Sequence, residues 1–237
     1  MEGVLLTVKE NAAPEKKLIA GCGAESTAET ILRVQRAAEI GYAAALVKTP
    51  YYYRAYYKSA AQIAHFRRVA DASPIPVVLY NAPGFCGVTL SPALVGRLAA
   101  HPNIVGMKDS ASSGIEQFLK FESDSFHVLA GSANFLFPAM MNGSVGGTVS
   151  LANSFPSIVM ELFRHGQARD AAHGVPLQAR VTRINKMISG PYGPSGVKAA
   201  MNLGGFKGGI PRRPLLPLTS AQVEEMRQVL TEEGLLP

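Results

Sequence analysis

The nine residues NIVGMKDSA, Asn103 to Ala111, decide how this chain is read. Ile104, Val105 and Met107 suit a strand covered on both faces, and Gly106 leaves room for another group to come close. Lys108 then falls where the strand leaves the core, with Asp109 directly after it. An ammonium in that place needs a route to solvent, a partner, or a chemical role.

Five more short apolar runs share the pattern: LIAGCG (18–23), AAALVKTP (43–50), PVVLYNAP (76–83), FHVLAGS (126–132) and VGGTVSLA (145–152). Each has the length and flanking turn residues of a parallel strand. Helix signals lie between them. Ser26 and Glu29 have capping-box spacing before ILRVQRAAEI, and Gly41 follows as a stop. Ser91-Pro92 places a cap and a first-turn proline ahead of ALVGRLAA. Such alternation predicts βαβ units with right-handed crossovers. Beyond Leu151 only helices are predicted, over 156–172, 175–189, 194–203 and 220–233, the last opened by Thr219 and Gln222.

The predicted strands end in chemically able groups: Thr49 to Tyr52, Tyr80-Asn81, Lys108-Asp109, Gly131-Ser132, and Thr148 with Ser150. A (β/α)₈ barrel gathers its C-terminal strand ends into the active-site face, and a doubly wound sheet binds ligands outside the same ends. Both place Lys108 beside Tyr80. The barrel accounts for more, because it brings all the ends around one mouth.

Two readings of Lys108 stand side by side. In one, the side chain snorkels to solvent and pairs with Asp109. In the other, an apolar surrounding lowers its pKa until the neutral amine attacks a ketone. The iminium so formed is an electron sink for making or breaking a C–C bond. Tyr80 would then move protons, since a phenol both donates and accepts.

The bulk numbers bound the choice. At 237 residues with 47% hydrophobic and 17% charged, the composition is that of a buried globular chain, and one domain of α/β type fits the length. The net charge of +6 is spread, with doublets only at Lys16-Lys17, Arg67-Arg68 and Arg212-Arg213. A nucleic-acid site would cluster such charge, so no nucleic-acid partner is expected, and anionic small substrates suit the balance equally well. No apolar run reaches the roughly 20 residues of a membrane span, so no membrane partner is expected. The opening MEGVLLTVKE lacks a basic leader, and two cysteines, Cys22 and Cys86, suit a reducing compartment; a cytoplasmic location is expected. His65, His101, His127, His165 and His173 show no metal-ligand spacing, so neither a metal nor another cofactor is expected. GCGAES (21–26) lacks the third glycine of a dinucleotide fingerprint, and GGFKGG (204–209) lacks the strand and hydroxyl of a P-loop.

YNAP at 80–83 and GMKDS at 106–110, with TPYY at 49–52 upstream, resemble the dihydrodipicolinate synthase/N-acetylneuraminate lyase family of class I aldolases. HPNIVGMKDS and VLAGSANFLF are most similar to its 4-hydroxy-2-oxoglutarate aldolase branch, and the resemblance runs on through GPSGVKAAMNLGG and RRPLLPLT. It implies a TIM-type barrel and a lyase that handles pyruvate and an aldehyde without a cofactor, as a homodimer or homotetramer. On that resemblance Lys108 forms the Schiff base and Tyr80 relays protons. Tyr52 completes a neighbour's relay across a dimer interface, and Gly131 and Val149 line the pyruvate pocket with backbone groups. Tyr51, Tyr53, Tyr56 and Tyr57 read as an aromatic interface or loop cluster.

Two departures accompany the resemblance. Family members carry two βα units and a GTTGE-like carboxylate loop ahead of LIAGCG, whereas here EGVLLTVKE reads as the second half of the helix that follows them. Six strands of eight are therefore expected. Residues 1–153 would hold a partial barrel with the active site, and 154–237 the last barrel helix and a helical extension. A truncated chain, a partner that supplies the rest, and a non-catalytic relative acting as a binding subunit all fit. Phe85 stands where the synthases proper place an arginine that grips the aldehyde's carboxylate, and a phenyl ring cannot form that bidentate pair. Another 2-oxo acid substrate is therefore favoured. Cys86 beside it reads as a small buried hydrophobe.

Overall fold

The computed structural model describes residues 2–236. It divides into two compact units, one up to Leu129 and one from Ala130 onward.

The first unit begins with helix α1 (Glu2–Asn11) and then alternates: β1 (Ile19–Gly21), α2 (Thr27–Ile40), β2 (Ala44–Lys48), α3 (Ser59–Ala72), β3 (Val77–Asn81), α4 (Pro83–Cys86), α5 (Pro92–Ala99), β4 (Ile104–Asp109), α6 (Glu116–Leu119) and β5 (His127–Ala130). β1, β2, β3 and β4 pair in that order, each parallel to the next. The caps are the predicted ones. Ser26 Oγ accepts from the Glu29 amide at 3.1 Å, Gly41 closes α2 at φ 93°, and Ser91 Oγ accepts from Leu94 at 3.3 Å. α2 buries Thr30, Val34 and Ala37, a stripe at helical spacing. Val47, Leu79, Leu98, Ile104 and Met107 are fully or almost fully buried beneath the helices, each worth about 1.5–3 kcal/mol of transfer free energy. α1 is pinned to α2 by Arg36 on Glu2, and to the segment after α2 by Tyr42, whose hydroxyl donates to the Leu5 carbonyl at 3.0 Å.

One irregularity sets the register that matters. Val77 pairs with Ile104, but Val78 pairs with Gly106, so Val105 is an extra residue on β4. From there Leu79 faces Met107, Tyr80 faces Lys108 and Asn81 faces Asp109. Without the extra residue Tyr80 would face Met107, because a one-residue slip turns every later side chain to the other face of the sheet. Gly106 also meets the need inferred for it. A Cβ there would overlap the His127 carbonyl oxygen and lie 3.2 Å from the same residue's carbon and nitrogen.

The second unit starts at the last residue of β5. Thr148 donates its N–H to the Ala130 carbonyl at 2.8 Å, beside the two-residue β6 (Gly146–Gly147). The rest is helical: α7 (Leu136–Met141), α8 (Pro156–Gln167), α9 (Ala171–Ser189), α10 (Gly193–Leu203) and α11 (Ser220–Glu232). Gln178 ties α9 to the segment before and within α7. Its Oε1 accepts from Phe137 N–H at 2.9 Å, and its Nε2 donates to the Ala133 carbonyl at 2.8 Å. Thr219 and Gln222 form the predicted capping box.

Several boundaries differ from expectation: the first strand, read over 18–23, is Ile19–Gly21, and α8, predicted to run to 172, ends at Gln167. The strand predicted over 145–152 shortens to Gly146–Gly147 and passes into a 3₁₀ turn at Ser150–Asn153. α9 starts at Ala171, four residues early, because Asp170 caps it by accepting from His173 N–H, which leaves Pro176 inside the helix. No helix among the described residues is long and apolar enough to cross a membrane.

Candidate active site

The carboxyl ends of β3 and β4 bring Tyr80 and Lys108 together on one face of the sheet. Lys108 Nζ stands 4.6 Å from the centre of the Tyr80 ring. Both side chains are half-buried. Burial pushes the Lys108 amine below its ordinary lysine range, since a desolvated ammonium is penalised and a neutral amine is not. The ring face works the other way and favours the ammonium, by about 0.5–2 kcal/mol for such a contact.

Asp109 does not pair with Lys108. Successive strand residues point to opposite faces, so its carboxylate turns away from the amine. There, fully buried, its Oδ1 accepts from Asn81 Nδ2 at 2.7 Å and from the Ala111 amide at 3.1 Å. Burial raises the Asp109 carboxyl, opposed by those two donors. Asn81 Oδ1 in turn accepts from Leu90 N–H at 3.0 Å. This buried network locks the ends of β3 and β4 one residue beyond Tyr80 and Lys108. Sequence reading missed it, although the adjacent Tyr80-Asn81 and Lys108-Asp109 pairs carry the signal: equal offsets on neighbouring strands.

The TPYY loop is held by Glu25, also missed. Its Oε2 accepts from the amides of Tyr51 and Tyr52, both at 2.9 Å, and its Oε1 from Lys48 Nζ at 3.1 Å. Partial burial opposes the charge, but the two amides and Lys48 outweigh it and hold the carboxyl below its ordinary value. That stabilisation is present above the unfolded-state pKa and is lost as pH falls through the lower folded one. Glu25→Ala is expected to speed hydrogen exchange at the Tyr51 and Tyr52 amides roughly 10–100-fold, as losing bonds to a charged acceptor implies. Exchange unchanged at both amides would show that the loop holds without it.

Tyr52 is 75% exposed and packs edge-on against Tyr53, with 4.9 Å between ring centres. Tyr51, Tyr53 and Tyr56 are also exposed. Phe85, in the short α4, is 78% exposed, while Cys86 beside it is buried. Cys22 is buried too, and that pushes its thiol up to about 11, so it is no nucleophile at neutral pH. In the second unit, Gly131 is half-buried just after β5, and Val149 is buried in extended backbone ahead of the 3₁₀ turn. A cleft of about 350 Å³ in that unit, lined by residues including Lys198, Asn202, Ile210 and Arg227, contains none of the predicted site residues.

Of the residues the sequence resemblance names, Lys108 and Tyr80 thus lie side by side at the ends of β4 and β3, both half-buried. The model of the dihydrodipicolinate synthetase family matches residues 2–233. The chain belongs to that family. A 4-hydroxy-tetrahydrodipicolinate synthase from an Exiguobacterium species is 36% identical over 221 residues, which is 92% of this chain and 75% of the relative. One from Xanthomonas axonopodis pv. citri is 39% identical over 209 residues, 86% of this chain and 67% of the relative. Among solved structures of the family, the Acinetobacter baumannii dihydrodipicolinate synthase, crystallised with pyruvate, is 30% identical with a TM-score of 0.92, covering 99% of this chain and 81% of its own. An Escherichia coli K12 prophage protein of the family, also in complex with pyruvate, is 26% identical with a TM-score of 0.90, covering 99% of this chain and 80% of its own. These likenesses assign an α/β fold of the TIM-barrel type.

Proposed function

We propose that this chain is a class I aldolase that forms a Schiff base with a 2-oxo acid through Lys108, with pyruvate as the product or substrate common to its reactions. The observation that carries this reading is the register of β3 and β4, which sets a burial-depressed lysine against Tyr80. The neutral Nζ attacks the C2 carbonyl of pyruvate. The carbinolamine loses water to give an iminium, and C3 gives up a proton to form the enamine. That carbon then bonds to the aldehyde carbonyl, and hydrolysis returns the lysine; cleavage runs the same steps in reverse. Tyr80 carries protons to the carbinolamine oxygen and from it. The Asn81–Asp109 bond holds both strand ends in place but touches no substrate. On the family resemblance Gly131 and Val149 line the pyruvate pocket with backbone groups, and Tyr52, exposed on its clasped loop, serves a second copy of the chain in a homodimer or homotetramer.

Among substrates, the likeness of HPNIVGMKDS and VLAGSANFLF to the 4-hydroxy-2-oxoglutarate aldolase branch supports a 4-hydroxy-2-oxo acid cleaved to pyruvate and an aldehyde such as glyoxylate, while Phe85 removes the arginine pairing that the synthases proper make with their aldehyde's carboxylate. The named relatives, 4-hydroxy-tetrahydrodipicolinate synthases, support the rival reading, a synthase that joins pyruvate to an aldehyde bearing a carboxylate. Offering both substrates and following pyruvate release or consumption with lactate dehydrogenase separates the two. Pyruvate release from 4-hydroxy-2-oxoglutarate alone is expected. Tyr80→Phe should lower that rate about 10²–10⁴-fold, the usual contribution of a positioned acid–base group. Turnover of neither substrate by folded protein would overturn the aldolase reading.

A further inference from the structure

We propose that His165, Asp170 and His173 form a binding site for one first-row divalent transition-metal ion, with Zn²⁺ as the type case. His165 lies in the last turn of α8 and His173 in the first turn of α9, and the short connection between the helices folds them onto Asp170. Asp170 Oδ2 is 3.1 Å from His165 Nδ1 and 2.7 Å from His173 Nδ1. The two rings stack at 22° with 5.5 Å between centres. One donor atom from each residue lies within 4.8 Å of the other two.

Two imidazoles and a carboxylate suit a borderline divalent cation, which binds each ligand at about 2.0–2.2 Å. Ligands sharing a tetrahedral ion at those lengths stand about 3.3 Å apart, so the two contacts to Asp170 need only small adjustments, while the widest separation, within 4.8 Å, must close by up to about 1.5 Å through ring rotation. Asp170 is already oriented, because its Oδ1 accepts from the His173 amide at 3.3 Å. Capping α9 requires only that carboxylate; the second imidazole adds nothing to a cap. Ligation through Nδ1 asks each neutral ring to carry its proton on Nε2 instead, a tautomer change that releases no proton. His173 is largely exposed, so an ion can enter and water can complete its shell. The nearby Arg169 guanidinium is engaged by the Met141 carbonyl at 3.1 Å. An ion here would join the end of α8 to the start of α9, and neither Lys108 nor Tyr80 belongs to the site.

The test titrates Zn²⁺ into the chelator-treated full chain by calorimetry, with Co²⁺ visible absorption as a second readout of coordination. One equivalent is expected to bind. His173→Ala, a change at an exposed position, should weaken binding at least about tenfold, as loss of a ligand implies. Asp170→Asn should do the same while keeping the helix cap, since asparagine caps as well as aspartate. His127→Ala, which removes an imidazole paired with Glu122 in the first unit, should change nothing. No stoichiometric Zn²⁺ binding by the parent chain, or equal affinity in folded His173→Ala and Asp170→Asn, would overturn the proposal.

Discussion

Lys108→Met is expected to abolish imine formation with pyruvate altogether and to leave the protein no less stable than its parent. The first half follows from removing the proposed nucleophilic amine, the second from burial, which pushes that amine's pKa down. The sign can be worked through. A lysine whose folded pKa lies below its unfolded one is penalised when charged in the folded state. The full penalty is present below the folded pKa, and it fades as pH rises toward the ordinary lysine range. Methionine keeps most of the volume and removes the charge, so its stability advantage should be largest at neutral and lower pH and vanish in strongly alkaline solution. Thermal melts of both proteins across pH check this. A variant less stable than its parent at neutral pH would show that Lys108 contributes to the fold as an ammonium, which is the snorkelling reading.

Gly106→Ala is expected to have the next largest effect. The new Cβ would overlap the His127 backbone oxygen, and a backbone atom in a paired strand cannot swing aside as a side-chain tip can. Forcing a group into such a site costs about 1–3 kcal/mol, occasionally more. In a chain of this length each kcal/mol lowers Tm by roughly 2–4 °C. The adjustment falls beside the extra residue that sets Tyr80 against Lys108, so imine formation should slow in whatever folded fraction remains. A variant with unchanged Tm and unchanged rate would mean that β4 and β5 can part without cost.

Much of this was legible in the sequence because it is written in local chemistry. Ser26, Ser91 and Thr219 each place a hydroxyl where a first helical turn needs an acceptor, and each is found doing so. The apolar runs around Val47, Leu79 and Met107 have no solvated side to choose, and all three are buried. Tyr80 and Lys108 could be placed side by side because consecutive parallel strands are neighbours. What escaped was pairing across the chain. Nothing local marks Val105 as an extra residue, because a bulge is a relation between two strands. The same holds for Glu25, which lies 26 and 27 residues from the amides it holds. His165 and His173 looked unrelated because they are not at a metal-ligand spacing, and a helix break between them brings the rings together. Pro176 pulled the predicted start of α9 toward itself, since proline prefers a first turn, while the cap lay at Asp170.

The central claim is that Lys108 is the nucleophile, and borohydride trapping tests it most directly. The chain would be incubated with pyruvate and reductant over a range of pH, then read by intact mass and peptide mapping. The account predicts one reduced adduct per chain, on Lys108, forming faster as pH rises and the amine loses its proton. A folded protein that gains no adduct, or gains it on another lysine, would contradict it.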